Sequence, residues 1–287
     1  MPELIFRGRK VSRDRALLMA IVNRTPDSFY DNGITWSEDA ARTAIGKAID
    51  EGADVVDVGG IPASPGPEVT PAQEIERVVP TIEWMRAEFP DLVISVDTWR
   101  HEVVDAVLKA GADLINDTWG GVDPEVLTVT GQYGAGNVCT HVGGLTPRTD
   151  PVRPHYDNVV ASVRDDLTAL AETAVAQGIP REGIMIDPAL DFGKNTYHSL
   201  EVLRHIDELI NTGWPVLMAM SNKGFVGETL DVALDDRLTG TLASTAFAAD
   251  KGAAMFRAHQ VRETRHIVEM IATLSGERPP ANVTRWV

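Results

Sequence analysis

LLMAIVN, residues 17–23, decides the architecture: six apolar residues run into an amide. A strand covered on both faces reads as a nearly continuous apolar run. An amide gains nothing inside it, so Asn23 belongs where the strand emerges. The same pattern recurs along the chain. Val55-Val56 leads to Asp57, LVISV to Asp97, DLI to Asn116, VCT to His141, IMI to Asp187, VLMAM to Ser221 and Lys223, and MFRA to His259. Eight such runs predict an α/β fold, a (β/α)8 TIM barrel, whose emerging strand ends share one rim where a ligand sits.

The segments between the runs have helical spacing. Ser37–Gly52 places Ala41, Ile45, Ala48 and Ile49 on one face behind a Ser37 cap, and Thr70-Pro71 opens a helix to about Glu88. Further helices are expected at Arg100–Ala110, Asp123–Gly131, Asp157–Gly178, His198–Asn211, Leu234–Gly252 and Val261–Ser275. LIFRGRKVSRDR alternates and turns near Gly8, which predicts a short N-terminal β-hairpin. No linker or composition break interrupts the alternation, so residues 1–287 are expected to form one barrel domain. A doubly wound open sheet also alternates strand and helix, but its G-x-G-x-x-G fingerprint is absent after the first strand.

A formal charge of −16 argues against a general nucleic-acid or membrane-surface role, since either needs a basic patch. No apolar run approaches the ~20 residues that span a bilayer. No signal-like start is seen either, so the cytoplasm is the expected compartment. Cys139 is the only cysteine, which precludes an internal disulfide, and its apolar surroundings suit a small buried side chain better than a nucleophile.

Several rim residues carry chemistry. Asp97, Asn116 and Asp187 would accept hydrogen bonds from a flat heterocycle, and Lys223 would donate to its ring carbonyl or nitrogen. Each acid alone could instead brace a loop. Arg257 and His259 are two residues apart on the last strand, hence on one side, and barrel closure brings them near Asn23. Together they suit an anion site, with a structural Arg–Asp pair as the alternative. His141 could face a ligand or tether a loop, and the tether is the preferred reading. No H-x-x-x-H spacing indicates a tightly held metal.

Taken in order, MAIVNRTPDSFYDNG, DVGGIPASPG, SVDTWR, LINDTWG, IDPALDFGKN, MSNKGFVGET and MFRAHQV resemble the signatures of dihydropteroate synthase, a pteridine-binding barrel family, over essentially the whole chain. The resemblance implies condensation of p-aminobenzoate with 6-hydroxymethyl-7,8-dihydropterin diphosphate in folate biosynthesis. Mg2+ and cationic donors would stabilise the departing pyrophosphate. It further implies that Asp97, Asn116, Asp187 and Lys223 hold the pterin. Asn23, Arg257 and His259 would face the pyrophosphate, with Asn23 toward the metal, and Ser221 would lie beside the aminobenzoate. In an active enzyme Lys223, Arg257 and His259 would be the catalytic set. The family often dimerises through barrel helices, and Leu242, Ala246 and Phe247 are compatible with a homodimer or equally with barrel packing.

The departures from the family pattern cluster. Where its second signature reads Gly-Gly-Glu-Ser-Thr-Arg-Pro-Gly, this chain has Gly59-Gly60-Ile61-Pro62-Ala63-Ser64-Pro65-Gly66. Ser64 stands for an arginine that would stabilise developing charge, and Pro62 stiffens the loop. Asn222 replaces an arginine before Lys223, Asp191 replaces a glycine, and Arg24 and Tyr30 enlarge the first loop. The expectation is a divergent paralogue that keeps pterin and anion sites but has little or no synthase activity. The alternatives are an active synthase with compensating loops and a transferase using another acceptor.

Overall fold

Period-two alternation along each strand sorts side chains into a set that fills the barrel and a set that packs under the helices. In the computed structural model, residues 3–11, 14–25, 37–149 and 155–285 are described. The chain begins with a hairpin, β1 (Leu4–Phe6) and β2 (Arg9–Val11), paired antiparallel. Its turn residues, Arg7 and Gly8, have φ of 49° and 78°, the left-handed pair that matches strand twist in two-residue hairpins.

Strands and helices then alternate: β3 (Leu17–Asn23), α1 (Glu38–Asp50), β4 (Val55–Gly59), α2 (Pro71–Glu88), β5 (Val93–Asp97), α3 (His101–Ala110), β6 (Leu114–Asp117) and α4 (Glu125–Gln132). They continue with β7 (Gly136–Thr140), α5 (Val159–Ala176), β8 (Ile184–Asp187), α6 (Thr196–Arg204), α7 (Ile206–Ile210), β9 (Leu217–Ala219) and α8 (Gly224–Leu230). Helix α9 (Leu238–Lys251), β10 (Met255–Ala258) and α10 (Val261–Leu274) complete the order. Eight parallel strands run β8-β7-β6-β5-β4-β3-β10-β9, and an Ile186–Val216 bridge joins the two ends. The expected TIM barrel and N-terminal hairpin are both present.

Leu17, Val55, Val93, Leu114, Met185 and Met255 fill the lower barrel, and Leu4 and Phe6 of the hairpin pack onto them. Arg7 Nη1 fastens the hairpin by donating to the carbonyls of Leu108 and Ala112 at 2.7 and 2.9 Å. The outward set, including Val56, Ile94 and Ile115, packs under helix residues such as Ile45, Ile82 and Leu167. Helix starts follow the sequence signals. Ser37 Oγ accepts from Ala40 N–H, and Thr70 and Gln73 form a reciprocal capping box ahead of Pro71.

Three expectations need correction. The helix expected over His198–Asn211 is two, separated at His205. The segment from Leu234 opens with a short 3-10 turn before α9. Helix α8 was not foreseen, because Gly224 and Gly227 depress its helical propensity. No helix among the described residues is long and apolar enough to cross a membrane.

Candidate functional site

Directly above the apolar filling, the next inward positions are polar: Asp57, Ser95, Asp97, Asn116, Asp187 and Arg257. The strand register sets Gly59, Asp97 and Asn116 level on adjacent strands. Asp57 is fully buried. Its Oδ1 accepts from Ser95 Oγ at 2.6 Å, and its Oδ2 accepts from Asn116 Nδ2 at 3.0 Å and Arg257 Nε at 2.7 Å. Arg257 Nη2 also donates to Asp97 Oδ2 at 3.0 Å, while Thr118 Oγ1 donates to Asp97 Oδ1 at 2.8 Å. Isolated, a buried carboxylate would cost several kcal/mol; here each is paired and hydrogen-bonded.

This layer corrects the expectation for Asp57, which lies inside β4, two residues before its end. A carboxylate is tolerated there because Ser95, Asn116 and Arg257 converge on it. Arg257, expected at an anion site, is held between two carboxylates. Burial works against its charge, but Asp57 and Asp97 outweigh that and raise its pKa. Burial pushes Asp97 up to about 6, opposed by Arg257 and reinforced by Asp57.

A cavity of about 330 Å³ opens over the layer. It gathers Asn23, Asp97, Ser221, Lys223, Arg257 and His259, with Ile61, Pro62, Ala63 and Ser64 on its rim. Asn116 and Asp187 are not on its wall; both are buried in the layer beneath. Asp187 Oδ1 accepts from Ala189 N–H at 2.7 Å, and burial raises its pKa against the pull of Lys223. Lys223 donates to the Leu190 carbonyl and lies 5.0 Å from the centre of the Phe192 ring. Burial lowers its pKa, opposed by Asp187 and Asp191. In the same loop Ser221 Oγ donates to Gln260 Oε1 at 3.2 Å and lies 3.1 Å from His259 Nδ1. Asn222 Nδ2 donates to the same Gln260 oxygen at 3.3 Å, so this wall is a network of uncharged groups around His259.

The loop after β4 forms the lid. Ile61 packs with Val69, Trp99, Trp119 and Val142. Gly60 is required by close approach, since a Cβ there would lie 2.8 Å from Val78 Cγ1. Ala63 and Ser64 are exposed. Two arginines hold the lid through its backbone. Arg77 Nη1 donates to the Gly60 carbonyl at 2.9 Å. Arg148 donates to the carbonyls of Ser64 and Pro67 at 3.1 and 2.8 Å. Arg148 is not among the residues lining the cavity. Arg24 Nη1 donates to the Ser37 carbonyl at 3.0 Å, whereas Tyr30 and the rest of that loop's signature from Pro26 to Gly33 lie outside the described residues.

His141 follows β7 and is buried away from this cavity, next to Asp166 at 3.3 Å. Burial and Lys194 depress its pKa to about 3. Its backbone does the tethering: His141 N–H donates to the Asp187 carbonyl at 3.0 Å, and the His141 carbonyl accepts from Lys194 Nζ at 3.0 Å. Lys194 was missed in the sequence, although a lysine in the glycine-bearing DFGKN turn was a signal. Its ammonium also reaches the Ala189 and Phe192 carbonyls at 3.3 and 2.9 Å, which fixes the loop under the cavity. Ala189, Asp191 and Asn222 have φ of 45°, 72° and 56°, so backbone strain gathers in the two loops after β8 and β9.

Comparison with known proteins identifies a family for the chain. A family model described as pterin binding enzyme matches residues 19–259. A Mycobacterium tuberculosis (strain H37Rv) protein, inactive dihydropteroate synthase 2, is 58% identical over 97% of this chain and 89% of its own length. The Yersinia pestis dihydropteroate synthase, solved with a sulfonamide drug, superposes with a TM-score of 0.90 at 32% identity, covering 96% of this chain and 100% of that one. The Coxiella burnetii dihydropteroate synthase in complex with pteroic acid gives 0.86 at 29% identity, covering 96% and 98%.

Proposed function

The chain belongs to the pterin-binding enzyme family, and we propose that it is a dihydropteroate-synthase-like protein that holds a pterin or phosphate ligand at the barrel rim with little or no synthase activity. One observation carries the second half of this reading. The lid positions Ile61–Ser64 bring no charge to the cavity, while the nearby Arg257 is already shared between Asp57 and Asp97. Developing negative charge on a departing pyrophosphate would meet few available cations, and loss of one such donor costs about 10²–10³ in rate. The mycobacterial relative named as inactive supports the same view.

In this reading Asp97, Lys223 and Arg257 face the pterin from the cavity wall, and Asn116 and Asp187 support it from below. Ser221 and His259 lie on the amine and phosphate side. If turnover occurs, Lys223, Arg257 and His259 are its catalytic residues. Mg2+ fits only as an ion arriving with a pyrophosphate. Asn23 offers one amide oxygen toward it, and both Asp97 oxygens are engaged by Thr118 and Arg257. Such an ion prefers six oxygens, most of them from water and phosphate. When bound it would offset phosphate charge beside Asn23. We further place the protein in the cytoplasm as a single-domain homodimer, with Leu242, Ala246 and Phe247 on the outward side of α9, where Phe247 is exposed.

Replacing Ile61→Glu, Pro62→Ser, Ala63→Thr and Ser64→Arg together tests the proposal. Pyrophosphate release from the pterin diphosphate with p-aminobenzoate should rise at least about a hundredfold over the parent protein. Ordinary synthase turnover by the parent chain would overturn the inactivity. A second reading, transfer to another acceptor, is favoured by the uncharged Ser221–Gln260–Asn222 wall and is tested by exchanging the amine.

A further inference from the structure

We infer that Asp191 makes this cavity discriminate against an amine that carries a carboxylate and select an uncharged or cationic one. The inference rests on the pterin-site reading above and adds the substrate class of its amine side. Asp191 lies in the loop after β8 with φ of 72°, a conformation that L side chains adopt only under strain and that favours glycine. Its contacts hold it there. Asp191 Oδ2 accepts from Phe225 N–H at 3.1 Å. Ser199 Oγ lies 3.3 Å from Asp191 Oδ1 and accepts from Asp191 N–H at 3.0 Å. The carboxylate is thereby fixed at the start of α8, on the cavity wall with Asn222 and Lys223.

The charge of Asp191 is felt beyond these contacts, since it opposes the effect of burial on Lys223 and Lys194. Phe225 N–H needs one acceptor oxygen, and the Ser199 hydroxyl can accept as well as donate, so an uncharged amide could meet both contacts. The charge matters to whatever enters the cavity. Among the described residues Asp97 and Asp191 line it, with Asp57 and Asp187 in the layer below, against Lys223 and Arg257 and the imidazole of His259. Arg257 is shared by Asp57 and Asp97. Ser64 and Asn222 complete the wall without charge. A carboxylate brought into this space meets a surplus of like charge, the arrangement by which proteins reject a wrong partner.

The test is calorimetric titration of the full chain with p-aminobenzoate and with p-aminobenzamide, with and without the pterin diphosphate. The amide should bind at least about tenfold more tightly, and added salt should narrow the gap. Asp191→Asn removes the charge, keeps one acceptor oxygen for Phe225 N–H and turns an amide N–H toward Ser199 Oγ, so it should bring the two affinities within about threefold in a variant that still melts cooperatively. Asp191→Gly, which also relieves the backbone, should act in the same direction. Equal or tighter binding of the benzoate by the parent protein overturns the inference. So does an affinity ratio unmoved by Asp191→Asn, or failure of both amines to bind. Failure of the pterin diphosphate alone to bind overturns the functional reading above and leaves the amine preference to be judged from the titrations without it.

Discussion

The layer under the cavity and the lid over it are built by opposite rules. In the layer Asp57, Ser95, Asp97, Asn116, Thr118 and Arg257 satisfy one another within the barrel. In the lid the side chains at Ala63 and Ser64 are exposed, and the order comes from arginines outside the loop acting on its carbonyls. The layer is therefore a structural unit whose charge is largely internal, while the lid is where charge toward a ligand can be gained or lost at small cost to folding. A family can alter its chemistry at the second without disturbing the first.

Breaking the layer should have the largest effect. Arg257→Ala leaves Asp57 and Asp97 buried without their cation, and should lower unfolding free energy by about 3–5 kcal/mol in a denaturant titration. A loss below about 1 kcal/mol would mean that the layer does not depend on the pair.

Glu74 probes the boundary between the two regions, since it is buried beneath the lid near Gly60 and paired with Arg100 at 3.2 Å. Burial pushes its pKa up to about 7, against Thr98 and Arg100. With the folded value above the unfolded one, the protonated form favours the native state. That contribution is complete below the ordinary carboxylate pKa and is lost as pH rises through about 7. The parent protein should lose ~3 kcal/mol from this group between pH 4 and 8, and Glu74→Gln should flatten the profile. An identical pH dependence in the variant would remove Glu74 from the account.

Lid substitutions should be nearly silent in stability. Ser64→Arg should change unfolding free energy by no more than about 0.5 kcal/mol, as for exposed positions generally. The smallest effect is expected for Arg148→Ala, visible as faster amide hydrogen exchange at Ser64 and Gly66, the two residues of Ser64–Pro67 that carry an N–H, with an unchanged melting temperature. Exchange as slow as in the parent would show that Arg148 does not hold the lid.

The barrel was legible because apolar runs ending in Asn23, Asp97, Asn116 and Asp187 state strand, burial and strand end together. From sequence Asp57 looks like a strand end, because a carboxylate inside a valine run makes sense only with Arg257, 200 residues away, to meet it. Position two apart placed Arg257 and His259 on one side correctly, yet spacing could not say that carboxylates already flank the guanidinium. Helix α8 escaped because tertiary contacts, among them Asp191 to Phe225 N–H, stabilise a glycine-bearing turn of weak propensity. Lys194 was missed for a related reason: its partners are backbone carbonyls, which carry no mark in a sequence.

The hairpin at the chain's start acts as a stopper. With Leu4 and Phe6 seated beneath the filled interior and Arg7 latched to α3, the far end of the barrel is closed by described residues and the polar layer faces the rim. On the function proposed above, two ligands sharing that doorway would queue: the one lodged deeper would arrive first and depart last, and any change at the threshold would govern both.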